Sequence, residues 1–192
     1  MKFPKLSLIN KGQKGFTLIE LAIAMVIGGT IAASVTMTMF QIFDSSGRTS
    51  NHMTAVRQVH SAGYWVSRDV LMAQDVVIAE ESVDDPDGTR FPFTLTWSDW
   101  VNNEENTAVY SIVGGELQRS LSTTDSNGVT TTNTIVVAEF IDVTEEAGEP
   151  RTRCSYDDAN NQFILTVTAT VGSGSAAQIE ARTYEVTPRP GS

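Results

Sequence analysis

Residues 21–43 run from Leu to Phe without a single charged side chain. A stretch of that length and polarity fits a helix that crosses a bilayer, which needs about 20 apolar residues. One acid, Glu20, stands at its head, directly after Lys14-Gly15-Phe16-Thr17-Leu18-Ile19. A charge placed inside a membrane helix costs roughly 2.5–3.5 kcal/mol on insertion scales. Glu20 therefore needs a partner. Two other readings of the apolar run compete: a secretory signal cut near Ala32-Ala33-Ser34, and an uncleaved single-span anchor. The run is roughly twice the 7–15 residues of an ordinary signal h-region, which counts against the first.

Gly15-Phe16-Thr17-Leu18-Ile19-Glu20, between a leader with four lysines and the apolar run, resembles the class III signal of type IV pilins and pseudopilins. The resemblance implies cleavage between Gly15 and Phe16 by a prepilin peptidase, N-methylation of the Phe16 amine by that enzyme, and a mature chain beginning there. It implies further that Glu20 attracts the terminal amine of a neighbouring subunit. In lipid each charge offsets part of the other's cost, and a buried pair of this kind is best attested as a register device. The partners so implied are the peptidase, other pilin or pseudopilin subunits and an inner-membrane assembly platform. The implied location is a single-pass membrane protein whose C-terminal domain lies outside the cytoplasm and joins a periplasmic or extracellular filament.

All four lysines (Lys2, Lys5, Lys11, Lys14) precede Phe16, and no acid does. Losing the leader would take the side-chain charge from −10 to −14 and leave arginine as the only cationic side chain apart from His52 and His60. The asymmetry fits a cytoplasmic leader and an exported remainder. So acidic a chain is a poor match for phosphate backbones, and no direct nucleic-acid binding is expected. The one cysteine, Cys154, excludes an internal disulfide and reads as a buried or half-buried spectator. Many pilins of diderm bacteria close a C-terminal loop with a disulfide; this chain departs from that pattern.

Beyond Asp44 a stripe persists at Val56, Val59, Gly63, Val66, Val70, Ala73 and Val77, with Arg57, Gln58, Ser61, Arg68 and Asp75 on the other face. Steps of three and four mark one helical face. The stripe suits packing on a sheet better than a coiled coil, since it spans only three heptads or so and includes a glycine. One helix is thus expected from Phe16 to Val77. Gly28-Gly29 inside it would either let the helix melt locally or let helices approach closely. From there the period changes to two. Expected strands are Phe91–Trp97, Ala108–Val113, Glu116–Leu121, Thr134–Ile141, Gln162–Val171 and Ile179–Val186, with a hairpin at Val113-Gly114-Gly115-Glu116. Residues 80–88, 123–132 and 145–150 read as loops, Gly172–Ser175 as the last connection, and 187–192 as a frayed tail. The fold class expected is α+β, a long N-terminal helix on one antiparallel sheet. Its segments are a leader (1–15), a membrane and assembly helix (16–43), an amphipathic continuation (44–78) and a β domain (79–192).

Three further stretches resemble the J-type minor pseudopilin of type II secretion and related minor pilins. They are Tyr64-Trp65-Val66-Ser67-Arg68-Asp69-Val70, the Trp97 strand, and Tyr110 through Gly114-Gly115 to Leu117-Gln118-Arg119. The resemblance implies a minor, tip or priming subunit; a major fibre-forming pilin and an anchored exported domain are the alternatives. Arg68-Asp69 reads as a surface or interface ion pair. Trp65, Trp97 and Trp100 read as core, or as interface aromatics. No catalytic site is expected: His52 and His60 lie eight apart with no ligand set, and Gly172-Ser-Gly-Ser lacks a βαβ context. No cofactor is expected. Asp84, Asp85 and Asp87 read as a solvated turn, with calcium as the weaker alternative, since EF-hand spacing is missing.

Overall fold

A computed structural model describes residues 15–78 and 88–189. The leader up to Lys14, the acidic turn with Asp84, Asp85 and Asp87, and the last three residues lie outside the described residues. The chain forms two units, Met1–Ser45 and Ser46–Ser192.

Helix α1 spans Leu18–Met72. Its most apolar 18-residue window has a mean hydropathy of 2.1, and none of that window is buried in the protein. The hydroxyls inside this stretch are satisfied by the helix itself. Thr30 donates to the Ile27 carbonyl at 2.9 Å, Ser34 to Thr30 at 2.8 Å, Thr36 to Ala32 at 2.9 Å and Thr38 to Ser34 at 2.9 Å. In lipid that leaves no hydroxyl proton without an acceptor, which is the condition a spanning helix must meet.

In the second unit α1 buries Ala55, Val59, Ala62, Gly63, Val66, Asp69 and Val70. The expected stripe is right at Val59, Gly63, Val66, Val70 and Ala73, but Val77 is not on the helix. The Ala73 N–H closes the last turn on the Asp69 and Val70 carbonyls, and the Gln74 N–H then donates to the Thr96 carbonyl at 2.8 Å. Asp75–Ile78 follows as strand β1. Backbone pairing with β2 overrides the helical spacing there, and Val77 is exposed.

The expected α+β arrangement, a long helix followed by an antiparallel β domain, is present, with two main sheets where one was expected. The first has the order β1-β2-β3-β4-β5, with β2 at Phe93–Asp99, β3 at Glu104–Val113, β4 at Glu116–Thr124 and β5 at Thr130–Ala138. The second has the order β10-β9-β8, with β8 at Arg153–Asp157, β9 at Gln162–Val171 and β10 at Gln178–Val186. A two-residue pair, β6 (Glu145–Glu146) with β7 (Glu149–Pro150), lies within the stretch read as a loop. Half of the Ser/Thr run read as a loop at 123–132 is strand: β4 and β5 pair as far as Thr124 opposite Thr130, and only 125–129 form the turn. Hydroxyl pairs Ser120–Thr134, Ser122–Thr132 and Thr124–Thr130 at 2.8–3.0 Å line that hairpin. Cross-strand pairs of this kind stabilise a ladder that polarity alone would assign to solvent.

The core of the second unit lies between α1 and the inner faces of both sheets. Phe93, Tyr110 and Phe163 are fully buried, with ring centroids 5.0 Å apart from Phe93 to each of the other two. Cys154 is buried, its thiol donating to the Arg90 carbonyl at 3.2 Å. Residues 140–142 join the sheets: the Ile141 N–H donates to Gly115 O, Asp142 N–H to Thr168 O and Thr170 N–H to Phe140 O. The Asp142 carboxylate there accepts from Thr144 N–H and Oγ1, Arg151 Nη1 and Thr170 Oγ1 at 2.6–3.0 Å. At the other end Pro188 is buried, so the tail is packed at least to that residue.

Candidate functional site: the head of α1 and a buried ion cluster

Gly15, Phe16 and Thr17 precede the helix in non-helical backbone, and all three are exposed. The Gly15–Phe16 peptide bond is therefore presented outside any hydrogen-bonded element, as a protease requires. A Cβ built on Gly15 would meet nothing within 4 Å. Nothing in the packing of the described residues demands glycine there. Phe16 is 88% exposed.

Glu20 does something that the sequence reading missed. The Thr17 N–H and Oγ1 donate to Glu20 Oε2 at 3.1 and 3.0 Å, while the Glu20 N–H donates to Thr17 Oγ1 at 3.3 Å. Thr-x-x-Glu is a capping box, in which the first helical turn satisfies two of its own orphan donors. The signal was visible in the sequence as Thr17-Leu18-Ile19-Glu20 directly before an apolar run. The box uses Oε2; among the described residues no hydrogen bond reaches Oε1. A cationic amine created at Phe16 would sit next to the positive end of the helix, where a carboxylate in the first turn is favourable. Glu20 can thus cap its own helix and still offer an oxygen to an amine.

Residues from two of the three stretches behind the minor-subunit resemblance, Tyr64–Val70 and Tyr110–Arg119, meet in one place. Asp69, on α1, is fully buried. Its carboxylate accepts from Tyr110 Oη at 2.8 Å and from Arg119 Nε at 2.5 Å, while Arg68 Nη2 approaches its other oxygen at 3.3 Å. Tyr110 and Arg119 lie directly opposite each other across β3 and β4. The guanidinium carbons of Arg68 and Arg119 stand 4.5 and 5.3 Å from the centre of the Trp65 ring. Burial, and then the Asp69 charge, push the Tyr110 phenol far above its usual range. Burial alone would lower the Arg119 guanidinium, but the bond to Asp69 outweighs it and the net shift is upward. Arg68-Asp69 is accordingly not the surface pair expected. The sheet supplies two donors to Asp69 that sequence neighbours could not reveal. Arg119 Nη2 is buried without a hydrogen-bond partner among the described residues. With the Asp69 carboxylate held by the Tyr110 hydroxyl and by both guanidinium groups, the cluster has the chemistry of a lock between helix and sheet.

Trp65 and Trp97 pack partly against the core, whereas Trp100 is 70% exposed. Among the described residues no group of three His, Cys, Asp or Glu side chains converges on one point. A family model of the prokaryotic N-terminal methylation motif matches residues 10–36. No curated protein and no solved structure matches the chain. The head of the chain thus carries the class III signal of type IV pilin-like proteins, which implies processing by a prepilin peptidase and association with pilin-type subunits.

Proposed function

We propose that the chain is a structural subunit of a type IV pilus-like or type II secretion pseudopilus filament, in a minor, tip or priming position of J type, with no catalytic activity. The observation that carries this reading is the methylation signal at the head of a helix whose first stretch, residues 18–43, leaves every apolar side chain exposed. A helix of this kind is at rest only in lipid or against other helices. After cleavage the subunit would be held in the membrane by residues 16–43 and then drawn into a filament core, where the same side chains bury against neighbours. The Glu20 Oε1 atom would pair with the Phe16 amine of an adjacent subunit and set its register. The minor position is supported by the J-type resemblance over Tyr64–Arg119, whose residues form the Asp69 cluster.

Glu20→Ala in the native host tests this reading. The variant should remain in the membrane fraction while filaments holding it disappear from the sheared fraction. Unchanged recovery in sheared filaments contradicts the proposal, and so does a chain that never leaves the membrane in the unsubstituted protein.

A further inference from the structure

Trp100 and Val101 form the tip of the turn between β2 and β3, and they are 70% and 92% exposed. The turn is fixed. Asp99 accepts from the Val101 N–H at 2.9 Å and from Asn102 Nδ2 at 2.8 Å, and Asn103 takes φ 54°. Two hollows flank this tip and share Ser98, Asp99 and Trp100. One, of about 420 Å³, is lined besides these by the apolar Leu71, Met72, Trp97 and Val101 and by Arg189. The other, of about 320 Å³, carries Asp99, Glu104, Glu105 and Asp125. Trp100 is therefore a ridge between an apolar hollow and an acidic one. Soluble surfaces rarely leave a contiguous apolar patch around an exposed tryptophan, and a rigid tryptophan beside a pocket is the typical anchor of a protein interface.

We infer that this ridge docks a second protein, one that places an apolar side chain in the Leu71–Trp97 hollow and a Lys or Arg against the carboxylates across Trp100. Charge selects the occupant. A second copy of this chain would bring a side-chain charge of −10 with residues 1–15 and −14 without them, and no lysine beyond Lys14. An anionic lipid surface would face the same four carboxylates. Only a partner with a basic rim satisfies both hollows at once. The inference does not depend on how the N-terminus is processed.

The test places a photoreactive benzoylphenylalanine at Val101 in the full chain, in its native host, with a second probe at the exposed Ile179 as control. The expected result is an adduct at Val101 with a different protein, through a peptide in which an apolar residue neighbours Lys or Arg. Its yield should fall severalfold with Trp100→Ala and with Glu104→Gln/Glu105→Gln, while any Ile179 adduct stays unchanged. Both sets of side chains are largely at the surface, so folding is kept; an unchanged near-UV spectrum verifies it. Adducts only to its own peptides, adducts only to lipid, no adduct, or a yield indifferent to both variants would each overturn the inference. Repeating the probe in the Glu20→Ala background separates the two proposals, since docking at Trp100 should survive a loss of assembly.

Discussion

Gly63→Ala should destabilise the protein, and removal of Tyr184 should turn the same substitution into a stabilising one. A Cβ on Gly63 would lie 2.1 Å from Tyr184 Cζ and 2.4 Å from both Cε atoms. Ordinary carbon contacts need about 3.5–4.0 Å, so the ring must retreat by more than an ångström. It is not free to slide, because its hydroxyl donates to the Val59 carbonyl at 3.2 Å. So severe an overlap belongs at the upper end of overpacking costs, about 3 kcal/mol. Alanine returns about 1 kcal/mol of helix propensity. The net expectation is a loss of about 2 kcal/mol with Tyr184 present, a gain of about 1 kcal/mol in Tyr184→Ala, and a coupling of about 3 kcal/mol. Urea unfolding of the reconstituted full chain, followed by tryptophan fluorescence, reads all four corners of the cycle. Equal effects of Gly63→Ala in both backgrounds would refute the argument that the ring sits on the glycine.

Three other outcomes follow from the same structure. Arg119→Met leaves the Asp69 charge buried with one strong donor fewer and should cost about 3–5 kcal/mol in the same unfolding assay; Asp69→Asn/Arg119→Met should cost clearly less than the two single changes added together. Burial would raise the Asp142 carboxyl, but Thr144, Thr170 and Arg151 outweigh it and hold it at about 2, below the ordinary 3.8. Its contribution, about 2 kcal/mol, is therefore present above the ordinary value and lost as pH falls through about 2, and Asp142→Asn should flatten that part of an acid-unfolding profile. Thr17→Ala removes the capping box and should weaken the first turn by about 1 kcal/mol, seen as faster amide exchange at residues 18–21.

How much of this was legible in the sequence depends on whether a residue's partner lies nearby along the chain. The head of α1 was legible because its signal and its apolar run are contiguous. Strand β9 was legible to the residue, since an apolar start at Phe163-Ile164-Leu165 runs into the alternation Thr166-Val167-Thr168-Ala169-Thr170-Val171. The end of α1 was not, because Val70, Ala73 and Val77 continue a helical spacing that only the Gln74–Thr96 bond interrupts. The short strand β8, Arg-Cys-Ser-Tyr-Asp, alternates over only five residues, too few to stand out from the turns around it, and owes its form to β9 alongside it. The hydroxyl-rich ends of β4 and β5 look like solvent to a polarity scale, and they become strand only once paired. Within the candidate site, Gly15, Phe16 and Glu20 came from a local motif. The burial of Asp69 depends on Tyr110 and Arg119, 41 and 50 positions away. The capping role of Glu20 was in plain view as Thr-x-x-Glu, and the cost of its charge in lipid drew the reading toward an outside partner instead.

The measurement that bears most directly on the whole account is the intact mass and N-terminal fragment spectrum of the protein taken from its native membrane. The account predicts a chain that begins at N-methylated Phe16, with the lysine-bearing leader gone. A chain that keeps Met1, or one cut near Ala33, would contradict it, since Glu20 would then have no new amine to meet and the exposed Gly15–Phe16 bond would have no enzyme.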